Sequence, residues 1–175
     1  DVLGSRGLGD VYKRQEADHA TYTKWATDAV KVINAALADL PDDLTVTTHI
    51  CRGNFKSTYL FSGSYDVVAP YLGQLNYDGL FLEYDNERAG GFEVLDQIWN
   101  HDDHKRIVLG LVTSKFPELE KTAVIKERIQ AATTKVPLSN LALSTQCGFA
   151  STEEGNQLTE ACLLYTSDAA DDGES

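Results

Sequence analysis

The chain has 175 residues, with 27 acidic side chains against 15 basic ones and a net charge of −12. An acidic chain with no basic run argues against a nucleic-acid or anionic-membrane partner. No apolar stretch approaches the roughly 20 residues that span a bilayer; no secretory signal is visible, and a cytoplasmic location is expected.

Two segments stand apart from the fold. Residues 5–15 spell SRGLGDVYKRQ and residues 162–172 spell CLLYTSDAADD. Both read as in-frame translations of a sequencing adapter, in its two orientations. Residues 1–15 and 162–175 are therefore expected to be adapter-derived tails, and 16–161 a native piece of a longer gene. This sets aside Gly4, Gly7 and Gly9 as a mimic of a nucleotide loop. It also removes Cys162 from the cysteine count. Cys51 and Cys147 remain, and one possible pair is no disulfide framework in a chain this size. Reduced thiols fit better.

In chain order, residues 18–39 predict a helix, with Ala20, Trp25, Ala29, Val32, Ile33, Ala36 and Leu37 at helical spacing. Pro41-Asp42-Asp43 ends it. Residues 44–51, LTVTTHIC, are rich in β-branched side chains and predict a strand. A long loop and a short helix over 65–75 follow, then a second strand over 77–84. Residues 92–99 predict a short helix with Trp99 in the outer core, as Trp25 is expected to be. A third strand spans 106–114, RIVLGLVTS, apolar on both faces. An amphipathic helix over 118–136 offers Leu119, Ala123, Ile125, Ile129 and Ala132 to the core. The fourth strand covers 141–146, and Thr152 caps a new helix with Glu153 and Glu154 in its first turn.

Strands alternating with helices mean right-handed βαβ units and a parallel sheet. No glycine-rich phosphate fingerprint follows any strand. Four βα units in this length make an α/β fold equal to about half of a (βα)₈ TIM barrel, which needs about 250 residues. An incomplete barrel is expected to be weakly stable and to self-associate through its open strand edges.

Four residues then stand out: His49, Cys51, Glu83 and Cys147. Side chains two apart on a strand share a face, so His49 and Cys51 lie with Thr45 and Thr47, opposite Leu44, Val46 and Ile50. Glu83 closes the second strand and Cys147 the fourth. Barrel enzymes draw their catalytic groups from such C-terminal strand ends. Sulfur, imidazole nitrogen and carboxylate oxygen together suit tetrahedral zinc. Two thiolates and a carboxylate around Zn²⁺ leave a net charge of −1, poor for hydrolysis and suited to presenting a thiol as its thiolate. From spacing alone two readings stay open: this zinc site, or cysteines that are small buried hydrophobes beside an ion-pairing glutamate.

The stretches THICRGNF, LFLEYDNERAG, VLGLVTSKFPELE and LALSTQCGFASTEEGNQLTE resemble the catalytic, C-terminal domain of cobalamin-independent methionine synthase, above all its short single-domain relatives. The resemblance runs over essentially all of 16–161. It implies zinc held by His49, Cys51, Glu83 and Cys147, and methyl transfer from a folate or another donor to the thiol of homocysteine, giving methionine. Where the family's full-length enzymes carry a proton-donating histidine, this chain has Lys115, next to Ser114, which opens the identity of the donor. The fragment alone is expected to be inactive and the parent protein to be the methyltransferase.

Arg52 and Asn54 follow the first metal strand and are candidate contacts for a substrate carboxylate. Asp85, two residues beyond Glu83, and Ser114 are further candidates near the site; Lys115 is the candidate catalytic group. His101-Asp102-Asp103-His104 imitates a metal motif but falls at the opposite end of the strands, as a solvated turn. Small molecules, a thiol and a methyl donor, are the expected partners. The competing readings are a zinc alkyltransferase acting on another thiol or using a corrinoid donor, and a structural zinc or binding module. Sulfurs of Cys51 and Cys147 within about 4 Å are what shared zinc ligation requires, because each Zn–S bond is about 2.3 Å.

Overall fold

A computed structural model of the chain describes residues 19–53, 63–86, 89–149 and 157–162, with positions 153, 155 and 164. The expected cap at Thr152, with Glu154, lies outside the described residues. The chain divides into two units, residues 1–39 and 40–175.

Helix α1, His19–Leu37, belongs to the first unit. Its exposed side is tied by Lys24 to Asp28, one turn apart at 2.6 Å. Trp25, expected in the core, is 48% exposed and meets Tyr22 edge-on at 5.6 Å. The apolar candidates in this helix occupy two adjacent rows. The covered row is Ala26, Val30, Ile33 and Leu37; Trp25, Ala29, Val32 and Ala36 face outward. Helical spacing alone does not choose between rows one residue apart.

The second unit runs β1 (Thr47–Ile50), α2 (Ala69–Leu72), β2 (Gly79–Glu83), α3 (Leu95–Trp99), β3 (Arg106–Val112), α4 (Thr122–Ala132), a 3₁₀ turn (Leu138–Asn140) and β4 (Leu141–Thr145). The four strands form one parallel sheet in the order β1-β2-β3-β4. This is the α/β half-barrel expected from the alternating pattern. Each element is shorter than its sequence signal, for local reasons. Leu44 N–H bonds back to Pro41 and Val46 N–H to the Asp78 carboxylate at 2.6 Å, so the first residues of the predicted strand are spent on a turn and a side chain. Residues 118–121 stay outside α4, because Glu120 reaches back to accept the Thr113 N–H at 2.7 Å. Leu119, expected in the core, is consequently exposed, as is Ala123, while Ile125 and Ala132 are buried.

The register assigns the two faces of the sheet. One face carries Leu80, Leu82, Ile107, Leu109 and Leu111, all essentially inaccessible. The same core takes in Leu95, Ile98 and Trp99 from α3 and Ile125 and Ala132 from α4. The other face carries Thr47 and His49, Phe81 and Glu83, Val108 and Gly110, Ala142 and Ser144, in rows set by the pairings His49↔Phe81↔Val108↔Ala142 and Glu83↔Gly110↔Ser144. This second face is the one that a closed barrel turns toward its axis.

Gly110 sits where the β3–β4 register shifts. A Cβ there would stand 2.8 Å from the Leu82 carbonyl oxygen and 2.8 Å from Gln146 Cα. Only glycine permits that approach, and the irregularity re-aims the chain leaving β4, as bulges beside functional sites do. Buried Asn140 fixes the other end of the same pair, donating to the carbonyls of Asp103 and Lys105.

Candidate metal centre

The first and fourth strands of a flat sheet would stand about 14 Å apart, at about 4.8 Å per strand. Cys51 and Cys147 follow β1 and β4, the two edges of this sheet, yet their sulfurs are 3.8 Å apart. The sheet is therefore strongly curved, with the polar face concave. His49 Nε2 lies 3.2 Å from Glu83 Oε1. The four donor atoms of His49, Cys51, Glu83 and Cys147 all fall within 4.8 Å of one another, and they form the one such His/Cys/Asp/Glu group among the described residues. The HDDH turn makes no such group; its His104 N–H donates to the Asp102 carboxylate at 3.0 Å and His101 faces Asp96.

The residues fit zinc. Two Zn–S bonds of about 2.3 Å at a tetrahedral angle span about 3.8 Å between sulfurs, the spacing seen here. Glu83 is fully buried, and its Oε2 accepts no hydrogen bond of good geometry although the Gln146 amide lies close. Burial alone would raise the Glu83 carboxyl. Hydrogen bonds from His49, Gln146 and the Arg52 backbone, with the charge of Lys115, outweigh it and hold the group below the usual carboxylate range. Burial pushes the Cys147 thiol up to about 11, and the nearby Cys51 and Glu83 charges push the same way. A carboxylate kept ionised beside a thiol that resists ionising is a donor set whose charge a bound cation would suit.

The centre is open on one side. Cys51 is exposed, and a cleft of about 300 Å³ is lined by His49, Phe81, Ser144, Thr145, Cys147, Gly148 and Phe149. A larger cavity of about 620 Å³, lined by Asp85, Asn86, Gly90, Gly91, Phe92 and Arg128, contains none of the four donors.

The other predicted residues fall into separate places. Arg52 is buried, with its guanidinium 5.4 Å over the Tyr65 ring and donating to the Gly63 carbonyl. Asn54 lies outside the described residues. Asp85 faces Lys115 at 4.0 Å, both side chains nearly inaccessible, and accepts from the Thr113 hydroxyl at 3.4 Å. Buried Ser114 donates to Gln146 Oε1 at 2.9 Å. Two groups that the sequence did not single out also touch the site. Gln146 precedes Cys147 and approaches Glu83. Tyr65 Oη accepts the Glu83 N–H at 2.8 Å, and burial keeps its hydroxyl protonated far above neutral pH.

A curved parallel sheet with metal-type donors gathered at its C-terminal strand ends is the arrangement of a partial α/β barrel with a candidate metal centre. The chain belongs to the family described as cobalamin-independent synthase, catalytic domain, whose sequence model matches residues 7–171. It is 60% identical over 159 residues to the uncharacterized protein YxjG of Bacillus subtilis (strain 168), covering 90% of this chain and 40% of that one. It is 24% identical over 156 residues to the 5-methyltetrahydropteroyltriglutamate–homocysteine methyltransferase of Vibrio harveyi, covering 89% of this chain and 18% of that protein. A crystal structure from Listeria monocytogenes, provisionally called a vitamin-B12 independent methionine synthase, superposes with a TM-score of 0.58 at 42% identity, over 81% of this chain and 39% of that one. The chain thus spans about two fifths of the length of YxjG. The family places it among methyltransferase-like enzymes. Among the described residues no helix is long and apolar enough to cross a membrane.

Proposed function

We propose that the complete protein transfers a methyl group to the thiol of homocysteine, giving methionine, at a zinc ion held by His49, Cys51, Glu83 and Cys147. The observation that carries this reading is the meeting of these four donors within 4.8 Å at the ends of three different strands. Zinc bound there would favour the thiolate form of a substrate thiol while leaving its sulfur nucleophilic, because two thiolates and a carboxylate already over-neutralise the ion.

The protein's own groups do the rest. The exposed side of Cys51 and the adjoining cleft give a small thiol room to approach. Glu83, buried and held ionised, preserves the negative charge of the centre. Lys115, buried beside Asp85 at 4.0 Å, is the candidate to deliver a proton to a departing donor or to neutralise a carboxylate. Arg52, Asn54, Asp85 and Ser114 are the candidate substrate contacts. The methyl donor is a folate, as the name of the Vibrio harveyi relative suggests, or a corrinoid or other carrier, a second reading favoured by a lysine where the family's histidine is expected. Residues 1–15 and 162–175 are proposed to be adapter-derived tails outside this function, which resequencing of the source gene tests.

The deciding experiment supplies the complete protein, loaded with zinc, with homocysteine and either methyltetrahydrofolate or methylcobalamin, and measures methionine by mass spectrometry. Methionine from one donor supports the proposal and names the donor. No methionine from either refutes it.

A further inference from the structure

We infer that Tyr65 is a positioning residue for the metal centre, its hydroxyl clamping together the strand ends that carry three of the four donors. This rests on the zinc reading above and adds a residue to it. The β1–β2 ladder ends at the pair Ile50↔Leu82. His49 and Cys51 flank Ile50, and Glu83 follows Leu82, so the donors sit where ladder support runs out. Tyr65 spans that gap. Its Oη accepts the Glu83 N–H at 2.8 Å and faces the Ile50 carbonyl at 3.5 Å, as a donor to it. One hydroxyl thus serves the backbone of a ligand and the peptide between two others.

The phenol is held in turn. Tyr65 is 3% exposed, its ring packed at 5.3 Å against the Tyr84 ring on the β2 end and at 5.4 Å under the Arg52 guanidinium on the β1 end. Its own carbonyl accepts the N–H groups of Val68 and Ala69, which fixes Tyr65 to the turn entering α2. A side chain fixed at its base, along its ring and at its tip has little freedom to move, and the ligand backbone it bonds shares that rigidity. Outer groups that orient metal ligands commonly carry 10–100-fold of metal affinity.

The test compares Tyr65→Phe with Tyr84→Phe in the full-length protein. Each keeps its ring and loses one hydroxyl, but the Tyr84 hydroxyl faces the Gly91 carbonyl at 3.5 Å, away from the donors. Zinc affinity is read by competition with a chromophoric chelator, and ligand geometry by the visible bands of the cobalt-substituted protein. Tyr65→Phe is expected to bind zinc about 10–100-fold more weakly with shifted cobalt bands, while Tyr84→Phe matches the parent. Equal affinity in Tyr65→Phe, or an equal loss in Tyr84→Phe, overturns the assignment. Absence of zinc binding by the unsubstituted protein overturns it together with the zinc reading. Should Tyr65→Phe fail to fold, amide exchange in the unsubstituted protein decides. A Glu83 amide as protected as those of β2 supports the clamp, and a freely exchanging one refutes it.

Discussion

Replacing Gly110 with alanine tests the link between sheet irregularity and metal centre. The added methyl carbon would meet Leu82 O and Gln146 Cα at 2.8 Å each and Thr145 O at 3.1 Å. Ordinary carbon contacts lie at about 3.5–4.0 Å, so backbone on both sides must retreat by several tenths of an ångström. All three neighbours are backbone atoms, and no rotamer change relieves them. Overpacking of this kind costs about 1–3 kcal/mol, or about 2–4 °C in Tm per kcal/mol for a protein of 150–250 residues. The displacement also reaches the centre directly, because Gln146 precedes Cys147 and Leu82 precedes Glu83. Zinc affinity should therefore fall by at least the 10-fold typical of a disturbed ligand setting. Calorimetry of the metal-free protein and chelator competition measure the two effects separately. A Gly110→Ala protein with unchanged Tm and unchanged zinc affinity would refute the argument that close approach at Gly110 sets the position of Cys147.

Other outcomes follow from the same geometry. The Cys147 thiol ionises near 11 in the fold against 9.0 ordinarily, so the folded metal-free protein holds its proton longer than the unfolded chain. Its contribution to stability is full below about 9 and is lost as pH rises through about 11. Unfolding midpoints measured across that range should fall, and Cys147→Ser should flatten that part of the profile while abolishing zinc binding. Ser114→Ala leaves buried Gln146 Oε1 without its donor, a loss of about 1–3 kcal/mol to be read from urea unfolding; an unchanged midpoint would show the bond to be idle. In the complete protein, Lys115→Met should slow methyl transfer per bound zinc by about 10²-fold or more if the lysine supplies a proton. A normal rate would remove Lys115 from the reaction.

The convergence of His49, Cys51, Glu83 and Cys147 was legible in the sequence because two simple regularities place them. The period of two puts His49 and Cys51 on one face, and the alternation of strands and helices puts Glu83 and Cys147 at matching ends. The strand limits were less legible, since the Asp78 side chain takes the place of a ladder partner for Val46, a fact that no local pattern contains. Helix α1 shows the same limit, for its two apolar rows differ by one residue and helical spacing alone does not single out the covered row of Val30 and Ile33. Tyr65 carried no signal at all. It lies far from Glu83 along the chain, and its role exists only after β1 and β2 have paired. Gln146 was adjacent to a predicted ligand, and its proximity to Cys147 was the one available hint.

The curvature that brings β1 and β4 together also bears on how the protein reaches its native state. Cys51 and Cys147 are separated by 96 positions, whereas each strand of the sheet pairs with the next in sequence. Neighbouring βα units can form early, but the thiol pair meets only after the last strand has docked, because long loops close late and at an entropic cost. Metal capture should then lag the appearance of secondary structure during refolding. A stopped-flow experiment that follows circular dichroism and cobalt–thiolate absorbance together would record that order, and simultaneous traces would contradict it. The metal centre is in this sense a record of completed topology as well as a place for chemistry.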